Sequence, residues 1–239
     1  MRDQVKNAFN QLANSYEHHV DQTSLYNSQY ERPAMLQQIP IDLTNRKGLD
    51  AGCAAGWYTE QLLARGADVV AIDVSPKMIE ATKRRIGTKA EAFCLDLAGM
   101  LPFQKNNFDF IVSSLTLHYI EDWEPVFQEW NRVLKPGGSL LFSVHHPFTD
   151  IKLSQTQLYF EQEHLQDRWK KEEIEVDVEF YRRPLSMILN DTLKYFTLEQ
   201  VIEPLPTATF KQQAPEAYEK LMKQPNFLIL QATNKKAQN

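Results

Sequence analysis

From Lys47 onward, short apolar runs alternate with stretches whose apolar residues recur every three or four positions. That is the pattern of a parallel sheet whose strands are linked by helices packed on both faces. Strands are predicted at 48–51, 68–74, 90–95, 108–115 and 139–144. The helix over 57–65 can stop at Gly66, and the helix over 75–86 opens with Ser75 as cap and Pro76 as first helical residue. A third helix over 123–134 is closed by Pro136, Gly137 and Gly138.

The flanks read differently. Before residue 45, Phe9, Leu12, Tyr16, Val20, Leu25, Met35 and Leu36 form a helical stripe interrupted by Pro33 and Pro40, which predicts two short helices capping the core. Residues 148–183 are charged and aromatic, with partial alternation at Ile174, Val176, Val178 and Phe180, so they are read as an inserted hairpin or lid. Beyond it come an expected helix over 184–195, a strand over 199–205, a helix over 218–223 and a closing strand over 227–232.

Length and composition narrow the picture. With 239 residues, 43% of them hydrophobic, the chain can bury the core of a single domain, expected to cover 1–239. A net charge of -5 argues against a basic surface for nucleic acid, and leaves a small-molecule partner as the expectation. No basic, apolar leader and no run of about 20 apolar residues occurs, so an unexported cytoplasmic protein with no membrane contact is expected. The two cysteines, Cys53 and Cys94, are too few for a disulfide framework and show no zinc spacing; no metal is expected.

The first strand runs into Asp50, Ala51, Gly52, Cys53, Ala54, Ala55 and Gly56, small residues that let a ligand approach the backbone. A dinucleotide fingerprint would need glycines where Ala54 and Trp57 stand, so nicotinamide and flavin are disfavoured. Asp73 ends the second strand about twenty residues after Gly52, placed for two ribose hydroxyls. It could instead cap the next helix, but Ser75 already offers an oxygen for that. Asp96 ends the third strand, where its carboxylate can accept from an adenine amino group. His118 follows the fourth strand, and His145 and His146 the fifth, so all three stand near the edge where open α/β sheets bind ligands.

Through LDAGCAAGWYTEQLLARGADVVAIDVSPKMIEAT, FCLDL, LPFQKNNFDFIVSSLTLHYI and RVLKPGGSLLFSV, the chain resembles the class I S-adenosylmethionine-dependent methyltransferases over about residues 5–233. Within them it is similar to the small-molecule type, with HPF, YRRPLS, EPLP and PNFLIL as later pieces. The resemblance implies a Rossmann-like sheet of seven strands, mostly parallel with the last antiparallel, and S-adenosylmethionine as cofactor, leaving S-adenosylhomocysteine as product. It further implies that Asp50, Gly52 and Gly56 shape the methionine pocket, with Cys53 beside them. Asp73 would hold the ribose, Asp96 and Leu97 the adenine, and Ser113 and Ser114 would flank the sulfonium, with Val74 and Met78 counted among the cofactor positions. Tyr16, Asn27 and Tyr30 would close the methionine end from the N-terminal cap. The chain departs from the family pattern at Ala54, where a glycine is usual.

Methyl transfer is an in-line displacement that chiefly demands alignment and exclusion of water. A hydroxyl acceptor also needs a base, for which His118 and His145 are the candidates, whereas a carboxylate does not. No N-P-P-Y run follows the fourth strand, which disfavours methylation of nucleic acid bases. The alternatives are a noncatalytic nucleoside-binding protein on the same fold and a nicotinamide oxidoreductase.

Overall fold

Strands β1 (Lys47–Ala51), β2 (Asp68–Asp73), β3 (Glu91–Cys94), β4 (Phe108–Ser114) and β5 (Leu134–His145) lie parallel in the computed structural model, which describes residues 2–171 and 174–236. An antiparallel hairpin follows, β6 (Glu163–Lys171) with β7 (Ile174–Arg182), and then β8 (Phe196–Ile202) and β9 (Phe227–Asn234). The main sheet has seven strands in the order β3-β2-β1-β4-β5-β9-β8, with β9 antiparallel to both neighbours. This is the Rossmann-like arrangement expected from the sequence. No helix among the described residues is long and apolar enough to cross a membrane.

The central strands are buried on both faces, which is why they read as unbroken apolar runs. One face packs Leu49, Ile111 and Leu140 against Phe127 and Trp130 of the Glu124–Val133 helix. The other packs Val69, Val112 and Leu141 against Leu62 of the Trp57–Ala64 helix and Met35 of the N-terminal cap. Above the sheet, Ala8 and Leu12 of the Arg2–His18 helix meet Val176 and Val178 of β7, so cap and hairpin close over the same edge.

Several boundaries differ from the sequence reading. The helix before β5 stops at Val133, because Leu134 already pairs with Phe108; Pro136, Gly137 and Gly138 form a bulge inside the strand before Ser139 resumes the ladder opposite Phe110. The strand expected over 199–205 begins at Phe196, whose fully buried ring anchors it in the core, and ends at Ile202. The helix expected over 218–223 is Pro215–Leu221, opened by a proline in its first turn, and a further helix, Ala208–Gln213, is capped by the Thr207 hydroxyl.

The N-terminal cap departs most. Instead of two short helices, a seventeen-residue helix, Arg2–His18, is followed by a short Val20–Thr23 turn and then a π-helical turn, Asn27–Glu31, running directly into the Arg32–Gln38 helix. Pro33 does not break this segment. It sits in the first turn of the last helix, where its missing N–H would have reached back to the Gln29 carbonyl; that carbonyl accepts from the Thr207 N–H instead, at 2.9 Å. The Arg32 N–H bonds the Asn27 carbonyl across the widened turn.

Candidate functional site

The chain runs outward from β1 to β2 and β3 on one side and restarts at β4 on the other, so a crevice opens at the carboxyl ends of these strands. There lies a cavity of about 850 Å³. Its floor comes from the loops after β1 to β5, and Phe9, Tyr16, Trp169 and Phe180 of the cap and hairpin cover it.

The turn after β1 is held by the Gly52 and Cys53 N–H groups donating to the Ile72 carbonyl at 2.8 and 3.0 Å. Gly52 has φ +85°, and a Cβ there would stand 2.2 Å from Thr116 Oγ1, so only glycine fits. Ala54 adopts φ 47°, the left-handed region, with its N–H donating to Asp73 Oδ2 at 3.0 Å and its carbonyl accepting from the Thr82 hydroxyl at 2.7 Å. The departure from glycine is therefore absorbed as backbone strain. Ala54→Gly is expected to raise stability by about 0.5–1 kcal/mol, seen as a melting temperature about 2 °C higher. A lower melting temperature would show the alanine to be unstrained.

Asp73 and Asp96 both line the cavity, as do Val74 and Leu97 beside them. Asp73 accepts from the Ser75 N–H at 2.8 Å as well as from Ala54, and burial pushes its carboxyl up to about 6. Ser75 caps the Pro76–Ile86 helix through the Met78 N–H, leaving the remaining lone pairs of Asp73 to the cavity. Asp96 accepts from the Ala98 N–H at 2.9 Å.

His145 reaches the cavity, and its Nδ1 stands 3.3 Å from Asp150 Oδ1, within ion-pair distance but off the line of a hydrogen bond. His118 does not line the cavity. It stacks behind His145 with ring centroids 3.9 Å apart, is 3% exposed, and finds no hydrogen-bond partner for either ring nitrogen among the described residues. Burial, then His145 and Arg183, hold its pKa well below the usual histidine value, so it stays neutral. His146 turns away to Glu203 at 2.9 Å.

A methyltransferase-domain family model matches residues 49–142. A bifunctional protein of biotin biosynthesis from Cellvibrio japonicus is 36% identical over 50% of this chain, which spans 24% of that protein's length. A malonyl-[acyl-carrier protein] O-methyltransferase from Hamiltonella defensa is 29% identical, over 78% of this chain and 69% of its own. A solved structure from Listeria monocytogenes, assigned to the S-adenosylmethionine-dependent methyltransferases, superimposes with a TM-score of 0.74 at 26% identity, over 86% of this chain and 97% of that one. Residues 49–142 thus carry a methyltransferase domain, and the chain as a whole has the fold of an S-adenosylmethionine-dependent methyltransferase.

The cavity of this methyltransferase fits such a cofactor: it is large enough, its glycine turn leaves no room for a side chain at Gly52, and Asp73 turns unused acceptor capacity toward it. Tyr16, Asn27, Gly52, Cys53 and Ser114 also line it. Other expected cofactor positions stand one layer back. Asp50 is buried and accepts the Thr59 hydroxyl at 2.5 Å, with burial raising its carboxyl to about 7. Gly56 packs against Thr82, and Met78 lies in the cluster beneath the cap. Ser113 points into the sheet and donates to the Ala51 carbonyl at 2.7 Å, while Tyr30 packs its ring on Phe210 and Phe227 and accepts from the Asn226 N–H at 3.2 Å. Asp50, Ser113 and Tyr30 engage their polar atoms in the turn, the sheet and the cap, and do not line the cavity.

Sequence reasoning passed over Glu31 and Arg32, which the π-turn aims into the cavity. Glu31 is 1% exposed and accepts from Ser143 Oγ at 2.6 Å, Ser114 Oγ at 2.8 Å and Tyr58 Oη at 2.8 Å; burial raises its pKa nonetheless. Arg32 lies over the Trp57 ring and pairs with Asp21 at 2.8 Å, and Asp21 also holds Arg85. The signal was adjacency to Tyr30, masked by treating Pro33 as a breaker. Asp150 was hidden as well, being five positions past His145 in a segment read as hairpin.

Proposed function

We propose that this methyltransferase transfers a methyl group from S-adenosylmethionine to an oxygen or nitrogen nucleophile of a small molecule, with His145 receiving the acceptor's proton. The observation that carries this reading is His145 at the end of β5, facing the same cavity as Asp73 and Asp96 and accompanied by Asp150. The cofactor supplies a methyl group made electrophilic by its sulfonium. Asp73 accepts from the ribose hydroxyls, Asp96 and Leu97 meet the adenine, and Gly52, Cys53 and Ser114 border the methionine end. Arg32, which lines the cavity and stacks on Trp57, is assigned to the cofactor's carboxylate. Burial keeps His118 neutral and it does not reach the cavity, so the role of base is assigned to His145, the stacked partner that faces the cavity with Asp150 beside it.

The test is the melting temperature with S-adenosylmethionine, S-adenosylhomocysteine, NAD and NADP in turn. A ligand at a hundredfold excess over its Kd stabilises by about 2.7 kcal/mol, which for a chain of this size raises the midpoint by several degrees. A rise with the first two alone is expected. A rise only with NAD or NADP would overturn the reading, and cofactor binding without turnover on any acceptor would leave a noncatalytic binding protein.

A further inference from the structure

The cavity wall is unbalanced in charge. Among the described residues, eight carboxylate side chains line it against four arginines and lysines. Those four are already matched: Arg32 and Arg85 pair with Asp21, Arg168 with Asp177, and Lys170 with Glu175. Arg182 and Arg183, at the end of β7, are buried and donate to main-chain carbonyls, Arg182 to those of Leu158, Tyr159 and Glu161 and Arg183 to that of Ile120 at 2.5 Å and of Glu121 at 2.6 Å. S-adenosylmethionine carries one net positive charge, less than the excess of carboxylates over cations among these side chains.

The excess lies partly at the end away from the adenine side. Asp150 is buried beside His145. Asp167 accepts the Trp169 indole N–H at 3.0 Å, and both residues line the cavity from the hairpin. Tyr119 lines the same cavity as these two carboxylates and packs edge-on against Phe9 at 5.0 Å; burial, then Tyr16, Asp150 and Asp167, push its hydroxyl well above the usual tyrosine value. Phe180 closes the chamber edge-on to His145 at 5.1 Å. Carboxylates set among aromatic faces recognise ammonium groups on apolar bodies and repel carboxylates.

Resting on the methyl-transfer reading above, we propose that the acceptor is an amine carried on an aromatic or apolar body, its ammonium drawn in by Asp150 and Asp167 between Tyr119, Trp169 and Phe180. The ammonium gives one proton to His145, the freed nitrogen lone pair forms the new bond to the methyl carbon, and the carbon–sulfur bond breaks with its electron pair left on sulfur. The product is a methylated ammonium, and the His145 proton passes to solvent.

The experiment is calorimetry on the full chain saturated with S-adenosylhomocysteine, titrated with phenethylamine, tryptamine and histamine and with their carboxylate counterparts 3-phenylpropanoate, indole-3-propanoate and imidazole-4-propanoate. At least one amine is expected to bind ten times or more tightly than its carboxylate counterpart. Asp167→Asn, and separately Asp150→Asn, should weaken that amine at least about tenfold while S-adenosylhomocysteine affinity, the check on folding, is kept. Carboxylates binding as well as amines, no amine binding at all, or variants that leave amine affinity unchanged would overturn the proposal. Methylation of a malonyl thioester in place of amines would overturn it while upholding methyl transfer, and failure to bind S-adenosylhomocysteine would overturn both.

Discussion

Asp73→Ala is expected to weaken S-adenosylmethionine binding by at least about tenfold, and to flatten its dependence on pH. The carboxylate spends part of its acceptor capacity on the Ser75 and Ala54 N–H groups and presents the rest to the cavity. Ribose hydroxyls donate best to an ionised carboxylate, and burial has raised Asp73 to about 6. A proton therefore competes with the ligand below that value: affinity in the parent protein should be about tenfold lower at pH 5 than at pH 7.5 and level above that. In the alanine variant calorimetry should give the same weak affinity at both. Stability of the ligand-free protein runs the other way. A carboxyl whose folded pKa lies above its unfolded value of 3.8 contributes stability that is fully present below 3.8 and is lost as pH rises through the folded value, about 6 for Asp73 and about 7 for Asp50. The ligand-free melting temperature should thus fall from pH 5 to pH 8, and S-adenosylmethionine should reverse part of that fall. An unchanged affinity in Asp73→Ala would remove the ribose assignment.

What could be read from the sequence follows from where information is local. Continuous apolar runs and helix caps are set by neighbours in the chain, so β1 to β4 and the Pro76–Ile86 helix fell close to their true limits. Gly52, Asp73 and Asp96 were legible because strand ends after regular units must converge on one sheet edge. The hairpin was visible in the alternation of Val176, Val178 and Phe180, all three buried, although Ile174 turned out exposed. Non-local competition hid the rest. Leu134 looked helical until its pairing with Phe108 was known, and Ser113 looked like its neighbour Ser114 until the pleat sent one inward and the other to the cavity. Glu31 and Arg32 depend on a π-turn permitted by a contact from Thr207, far along the chain. Of the aromatics Tyr159, Phe160, Trp169 and Tyr181 in the inserted segment, only Trp169 lines the cavity; Phe160 is 83% exposed.

The two stacked histidines give the sharpest separation of roles. With an acceptor in hand, His145→Ala is expected to lower kcat by about 10²–10⁴-fold for a hydroxyl or ammonium nucleophile, the range for loss of a positioned base, with little change in S-adenosylmethionine affinity. Asp150→Asn should do less, because the 3.3 Å contact supports the imidazolium without accepting its proton. His118 contributes through packing: its ring fills the space between His145, Tyr119 and Phe180, and both of its nitrogens are buried without partners among the described residues. His118→Phe keeps a stacked ring and removes an unsatisfied polar group, so it should hold or raise the melting temperature and retain most of kcat. His118→Ala leaves a void beneath His145, should cost about 2 kcal/mol or more, and should lower kcat through misplacement of the base. Phenylalanine at 118 abolishing turnover would return His118 to the chemistry. Full turnover in His145→Ala would show that the acceptor arrives already deprotonated and that alignment alone suffices.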